Sequence, residues 1–192
     1  MKKMKLWMMA AILFCGVGVM TSCNGNANAD NSDDEQGWVF MDALEKYMVD
    51  SVGVHYSQGE LCIPSIVVVE TNEDNPDSLL VWGDFWVFNY NVAGDTLKTV
   101  SGGDHPGMMV VQKIDGKYKV TSFDQVEDGS RFLPSAKRIF GEWYEDFHVI
   151  NSREEVREAV RARFIARYVK AQNLPVKYYQ DYGWPAKEIP VE

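Results

Sequence analysis

The chain has 192 residues, with 19 basic and 28 acidic side chains and a formal net charge of −9. Its composition, 46% hydrophobic and 24% charged, is that of a folded globular protein and excludes a wholly disordered chain. The acidic balance argues against binding to nucleic acid or to anionic membrane surfaces, because basic side chains supply most of the attraction to both. The length suits one domain preceded by a short tail.

The first 22 residues have the features of a secretory signal peptide. Lysines at positions 2, 3 and 5 precede an uncharged, mostly apolar run from 6 to 20. This run is shorter than the roughly 20 residues that a membrane-spanning helix needs. It ends in Met20-Thr21-Ser22-Cys23, which resembles the lipobox of bacterial lipoproteins, with Met20 where Leu is usual.

The lipobox resemblance implies cleavage before Cys23 and attachment of lipid to this cysteine. Each buried CH₂ of an acyl chain contributes about 0.8 kcal/mol, so two or three chains give stable membrane anchoring. We therefore expect an envelope protein, at the outer membrane, on its periplasmic or surface face. An ordinary secretory signal and an uncleaved anchor are the alternatives. Only Cys62 follows Cys23, so the mature chain has no intramolecular disulfide, and we expect Cys62 to be a buried, inert thiol.

A flexible tether is predicted over residues 23–37, because after the cysteine this segment is rich in Asn, Asp and Gly and lacks large apolar side chains. A single domain is expected over 38–192. Its first element is an amphipathic helix from about 35 to 52. The apolar residues that define its stripe recur at spacings of three and four: Trp38, Met41, Leu44, Met48 and Val52.

The pattern changes from helix to strand between positions 61 and 123. About five strands with short connections are predicted, which favours an antiparallel meander over a parallel α/β sheet. Asp115-Gly116 is a strong signal for a two-residue hairpin turn. The predicted strands cover a run around 66–69 and the segments 79–91, 96–101, 108–114 and 117–123.

Helices return after the predicted sheet. A short helix over 134–140 is closed by Gly141, and a longer helix should run from about 153 to 172. Ser152 and Glu155 form the S-x-x-E pattern of a capping box at the start of the longer helix. The tail from 178 to 190 holds four aromatic residues, which we expect to pack on the domain because they are costly to expose.

One helix, a curved antiparallel sheet and further helices make an α+β fold. A bent sheet wrapped around a helix gives a cone with an open end, as in the NTF2-like and cystatin-like folds. The stretch WGDFWVFNYNVAGDTLKTVSGGDHPG, with VTSFDQVEDGS and SAKRIFG behind it, is similar to uncharacterised bacterial envelope lipoproteins of that fold group. The resemblance covers about residues 38–184 and implies a fold but no particular reaction.

The strand from 82 to 90 is the first candidate site. Its even positions form an aromatic wall with one carboxylate, which suits a small, flat, apolar ligand. If Asp84 is buried there, its pKa should rise and it could act as a general base. The residues on this face are Trp82, Asp84, Trp86, Phe88 and Tyr90.

The segment Ser101–Gly107 is the second candidate site, and it is predicted to be a loop. Its three glycines permit positive φ and close approach of the backbone to a partner. Asp104 and His105 could transfer a proton or bind a metal, but zinc needs three or four ligands. We therefore expect neither a metal nor another cofactor.

These features favour a non-catalytic binding module for a small apolar ligand or for another envelope protein. The alternatives are an isomerase or dehydratase that uses Asp84 or Asp104 with His105, and an inhibitor or immunity-type lipoprotein that uses exposed loops. Asp84 facing a Tyr or His in an open cavity of roughly 300 Å³ favours the enzyme. A cone filled by aromatic side chains favours a surface-binding or structural role. The candidate ligand-binding residues are Trp82, Asp84, Trp86, Tyr90, Asp104 and His105.

Overall fold

The computed structural model describes residues 32–191, with side chains from Phe40 onward. The predicted signal peptide, the lipid attachment at Cys23 and the tether up to residue 31 lie outside the described residues. The helices are α1 (Ser32–Tyr47), α2 (Phe132–Phe140), α3 (Tyr144–Ser152) and α4 (Glu154–Ala171). The strands are β1 (Leu61–Asn72), β2 (Ser78–Ala93), β3 (Thr96–Ile114), β4 (Lys117–Gln125), β5 (Tyr178–Gln180) and β6 (Lys187–Glu188).

The sheet is a curled antiparallel meander. Strands β1 to β4 pair in chain order, β1 with β2, β2 with β3 and β3 with β4, while β5 pairs in parallel with the start of β3 and β6 pairs with β5. The register shifts after Val68 in β1, after Asn89 in β2 and after Val110 in β3, and such bulges bend strands. An open sheet with one helix before it and three after it confirms the predicted α+β, cone-like fold.

Helices cover both faces of the sheet because β2 alternates as predicted. The odd positions Val81, Phe85 and Val87 pack against Leu44 of α1 and against Met48, the residue after it, and all five side chains are fully buried. The even positions face the other three helices. There Trp82 packs against α2 and α3, and Tyr90 packs against α4.

The predicted loop over 101–107 is wrong, because these residues lie inside the 19-residue strand β3 and pair continuously with β2. Its glycines do not have positive φ. They are instead places where aromatic rings lie against the backbone. A Cβ at Gly102 would come within 2.7 Å of the Phe88 ring, and one at Gly107 within 2.6 Å of the Phe123 ring. Glycine in a strand here marks close approach rather than a turn.

The local signals for turns and helix ends are mostly confirmed. Asp115 and Gly116 have φ of 53° and 74°, as a type I′ hairpin turn requires. Gly141 ends α2 with a φ of 53°. Helix α1 begins at Ser32, three residues before the expected start, and α4 has nearly the expected bounds.

The predicted capping box at Ser152 is wrong. Helix α3, which the sequence patterns did not predict, ends at Ser152, so only Arg153 separates α3 from α4. The Ser152 hydroxyl donates back to the carbonyl of Val149 in α3. Arg153 is the N-cap of α4 and makes no side-chain cap hydrogen bond.

A buried arginine fastens the C-terminal tail to the sheet. The Arg161 side chain of α4, only 4% exposed, donates to the hydroxyls of Tyr90 (2.9 Å) and Thr99 (3.0 Å) and to both carboxylate oxygens of Asp181 (2.8 and 2.9 Å). Its guanidinium carbon also lies 3.9 Å from the ring centroid of Phe88. These contacts, which we call the Arg161 clamp, join α4, β2, β3 and the tail.

The aromatic residues of the tail have different environments. Tyr179 is buried, whereas Tyr178 is 36% exposed, Tyr182 is 98% exposed and Trp184 is 70% exposed. The expectation that these side chains pack on the domain is therefore right for Tyr179 and wrong for Tyr182 and Trp184, which lie in solvent, while Tyr178 is partly exposed. Among residues 32–191, no helix combines the length and the apolar character needed to cross a membrane.

Candidate functional site

A cavity of about 460 Å³ opens between the end of α1 with the turns after it, the middle of β3 and the end of β4. Its volume lies within the roughly 300–1,000 Å³ typical of small-molecule sites. The lining mixes apolar and polar side chains and holds no Asp, Glu, Lys or Arg. We call it the His105 cavity. It is lined by Tyr47, Ser51, Val52, His55, Tyr56, His105, Phe123 and Gln125.

The chain after α1 brings Tyr56 over β3. Helix α1 continues as a π-helical turn, Met48–Val52, and a 3₁₀ turn, Gly53–His55. The ring of Tyr56 then lies edge-on to that of His105, with centroids 5.8 Å apart and planes at 78°. A Cβ at Gly103 would overlap the Tyr56 hydroxyl oxygen, so glycine at this position makes room for the hydroxyl.

Both ring nitrogens of His105 are hydrogen-bonded. Nε2 lies 2.8 Å from the Tyr56 hydroxyl oxygen, and Nδ1 lies 2.7 Å from the amide nitrogen of Gln125. Burial lowers the pKa of His105, which favours the neutral imidazole at pH 7. Burial also raises the pKa of Tyr56 and keeps its hydroxyl protonated. The cavity thus presents a fixed row of neutral hydrogen-bonding groups.

Two aspartates meet on the opposite face of the sheet. Asp84 is fully buried, and its Oδ1 accepts a hydrogen bond from Nε1 of Trp86 at 3.1 Å. Asp104 accepts one from the Asn151 amide at 3.3 Å through Oδ2. The remaining oxygens, Asp84 Oδ2 and Asp104 Oδ1, are buried without a hydrogen-bond partner, and the two side chains lie close enough for Asp84 to raise the pKa of Asp104. A proton shared between the carboxyls accounts for both observations.

The shared proton follows from the surroundings of the pair. Burial, followed by the hydrogen bond and the charge of Asp84, raises the pKa of Asp104 well above its ordinary value of 3.8. The opposing influences of Asn151 and Arg157 are weaker. The raised pKa of Asp104 means that the pair retains a proton at neutral pH.

The sequence-predicted partnership of Asp104 with His105 is not formed. Consecutive residues of a strand point to opposite faces, so Asp104 faces Asp84 while His105 faces Tyr56. The structure therefore joins Asp84 to Asp104 and leaves His105 in the cavity on the other side.

The predicted aromatic wall is covered by helices. Trp82 donates from Nε1 to the carbonyl of Ile139 in α2 at 2.9 Å. Trp86 stacks on Phe88, with centroids 5.7 Å apart, and the Arg157 guanidinium lies 5.5 Å from its ring. Tyr90 belongs to the Arg161 clamp. A ligand-binding role for these residues and for Asp84 stays a prediction.

Most residues of the His105 cavity could not be identified from the sequence. Tyr56, Gln125 and Phe123 showed no pattern that tied them to His105, because they come from three separate segments. The one available signal was Gly103, since a glycine within a strand marks a place where another group approaches the backbone closely. The local sequence does not encode which group that is.

Cys62 is half-buried, and burial, followed by the charge of Asp50, raises the pKa of its thiol, which disfavours the reactive thiolate. Within the described part of the chain, no group of three or more His, Cys, Asp or Glu side chains could hold a metal ion.

Comparison of the chain with protein-family models, with curated proteins and with solved structures gave no match.

Proposed function

We propose that this chain is a non-catalytic binding domain that holds a small ligand in the His105 cavity and is anchored to the cell envelope by lipid on Cys23. The observation that carries the proposal is an open cavity of about 460 Å³ with a mixed aromatic and polar lining. The cone-like fold agrees with this role, and Met20-Thr21-Ser22-Cys23, which resembles the lipobox of bacterial lipoproteins, supports the lipid anchor.

The aromatic part of the lining supports a flat, largely apolar ligand body. Phe123 is held edge-on by Phe85, with centroids 5.4 Å apart, and by Tyr47, with centroids 6.1 Å apart; both interplanar angles are 86°. Such contacts fix the orientation of the Phe123 ring before a ligand arrives. Preorganisation of this kind lowers the entropic cost of binding.

The contacts of the titratable groups favour binding over catalysis. An isomerase or dehydratase needs a general base within hydrogen-bond reach of its substrate. Both carboxyls of the Asp84–Asp104 pair face away from the cavity, and both nitrogens of His105 already have partners. No acid–base group of the predicted set is therefore free inside the cavity.

The binding proposal can be tested by thermal unfolding of the full chain against a panel of small, flat aromatic compounds. A compound at 100 times its Kd should stabilise the domain by about 2.7 kcal/mol. Ser51→Trp places a large side chain at the cavity and should abolish this stabilisation. Val149→Trp, at an exposed position of α3, is the matched control and should keep it. Equal stabilisation of both variants would place binding elsewhere and contradict the proposal.

A protein partner in the envelope is the second candidate. It is favoured by the exposed aromatic side chains of Tyr182 and Trp184, because Tyr and Trp are enriched among the residues that dominate binding at protein interfaces. A photo-crosslinking amino acid at position 184 should capture one defined envelope protein in cells. The same group at position 149 should not capture it. Equal capture at both positions would contradict a specific partner.

A further inference from the structure

The hydrogen bonds around His105 decide where the proton of the Tyr56 hydroxyl points. The amide nitrogen of Gln125 can only donate, so Nδ1 of His105 must accept. The neutral ring then carries its single proton on Nε2. Nε2 donates that proton to the Tyr56 oxygen, 2.8 Å away. Tyr56 is therefore the acceptor in this pair, and its own O–H is left to donate elsewhere.

The free O–H of Tyr56 belongs to the lining of the cavity. Across the part of the chain that the structure describes, His105 is the one hydrogen-bond partner of this hydroxyl. The glycine at 103 lets the oxygen lie against the backbone of β3, which fixes its position. A fixed donor without a protein acceptor is complementary to a ligand that carries an acceptor atom.

The charges near the cavity select against an anionic ligand. The lining holds no Lys or Arg to pair with an anion. Burial, followed by the negative charges of Asp128 and Asp104, raises the pKa of Tyr56. The Asp84–Asp104 pair retains a proton and so carries less negative charge than two free carboxylates. Asp128 is therefore the main source of negative charge acting on Tyr56. The field of Asp128 opposes a second negative charge beside the Tyr56 hydroxyl.

We infer that the ligand of the His105 cavity is a neutral molecule with a flat apolar body and a carbonyl-type acceptor, and that Tyr56 donates the hydrogen bond that selects it. Gln125 and His105 are positioning residues, since they act by fixing the direction of the Tyr56 O–H. This inference rests on the proposed function and deepens it by naming the ligand class.

The test uses three probes of one shape: 2-acetylnaphthalene, 2-isopropenylnaphthalene and 2-naphthoate. The first has a neutral carbonyl, the second replaces its oxygen with a CH₂ group, and the third is an anion. The full chain should bind the ketone about threefold to tenfold more tightly than the alkene, the range expected for one net hydrogen bond. The naphthoate should bind more weakly than the ketone.

Two variants separate the role of Tyr56 from a general change in the cavity. Tyr56→Phe should bring the ketone-to-alkene affinity ratio to about one. Tyr47→Phe removes the other tyrosine hydroxyl of the lining, leaves the Tyr56–His105 pair intact and should keep the ratio. Nitrogen NMR should find the proton of the His105 ring on Nε2 in the unmodified chain.

The outcomes distinguish the inference from the proposed function. Equal binding of ketone and alkene, an unchanged ratio in Tyr56→Phe, tighter binding of the naphthoate, or a proton on Nδ1 of His105 would each overturn the inference. Binding of the probes in the cavity would still stand in those cases. Failure of all three probes to bind would overturn the proposed function and the inference with it.

Discussion

Replacing Asp104 with Asn should remove a pH dependence from the stability of the domain. In the native chain the Asp84–Asp104 pair needs a proton, because each carboxyl has one buried oxygen without a hydrogen-bond donor and Asp84 raises the pKa of Asp104. An asparagine amide at 104 can donate to Oδ2 of Asp84 without binding a proton. Its oxygen can still accept the hydrogen bond from Asn151.

The sign and size of the effect follow from proton linkage. The pKa of Asp104 is raised in the folded state, so above its ordinary value of 3.8 the folded chain binds more protons than the unfolded chain. The free energy of unfolding therefore falls as pH rises, by at most about 1.4 kcal/mol per pH unit for one proton, until the raised pKa is passed. Relaxation of the site limits the total, and leaving a buried group without a hydrogen bond costs about 1–3 kcal/mol.

Urea unfolding of the full chain, followed by circular dichroism at pH 5 and pH 8, measures this effect. Asp104→Asn should be more stable than the native chain by about 1–3 kcal/mol at pH 8, and this advantage should shrink at pH 5. Asp115→Asn removes the same charge from an exposed hairpin turn that accepts asparagine, and it should follow the native pH profile. Parallel profiles for Asp104→Asn and the native chain would refute the shared proton.

Three further changes test other parts of the structure. Arg161→Met should destabilise the domain by about 1–3 kcal/mol and expose the tail to proteases, because the buried Tyr90 hydroxyl and Asp181 both lose their partner. An intact, protected tail in limited proteolysis would contradict the clamp. Gly103→Ala should lower the free energy of unfolding in urea by about 1–3 kcal/mol, and by less when Tyr56 is also replaced with Phe. An equal loss with and without Tyr56→Phe would show that the glycine does not make room for the hydroxyl. Mass spectrometry of the mature chain should find acyl groups on Cys23, and Cys23→Ser should release the protein from the membrane fraction; a native product cleaved at another position would contradict lipidation.

The fold could be predicted from the sequence where local patterns carry the information. The alternation of residues along β2 predicts that Val81 and Phe85 lie on one face of the sheet and Trp82 on the other, and the packing confirms this. The Asp115-Gly116 turn and the end of α2 at Gly141 could also be predicted, because few residue types adopt a positive φ. These patterns depend only on residues close together in the chain, so they can be recognised without the tertiary structure.

The middle of β3 could not be read in this way. Gly102, Gly103 and Gly107, with an intervening proline, have the composition of a loop. The rings that occupy the space beside these glycines come from distant segments: Tyr56, Phe88 and Phe123. Strand structure here depends on long-range packing, which overrides the local preference.

The candidate site failed to emerge from the sequence for a related reason. Asp84 and Asp104 meet because the register of β2 against β3 sets Trp86 opposite Asp104, two positions from Asp84. The His105 cavity depends on where the turns after α1 deliver Tyr56. Residue spacing predicts neither this register nor the path of the segment after α1. The opposite orientations of Asp104 and His105, in contrast, follow from strand alternation once residues 101–107 are recognised as part of a strand.

Contacts between bound 2-acetylnaphthalene and individual side chains, measured by intermolecular NOEs on the full chain, test the binding site most directly. A ligand in the His105 cavity should give NOEs from its naphthalene ring to Phe123 and from its methyl group to Tyr56. NOEs to Trp82 or Trp86, with none to Phe123 or Tyr56, would place the ligand on the opposite face of the sheet and contradict the proposed site.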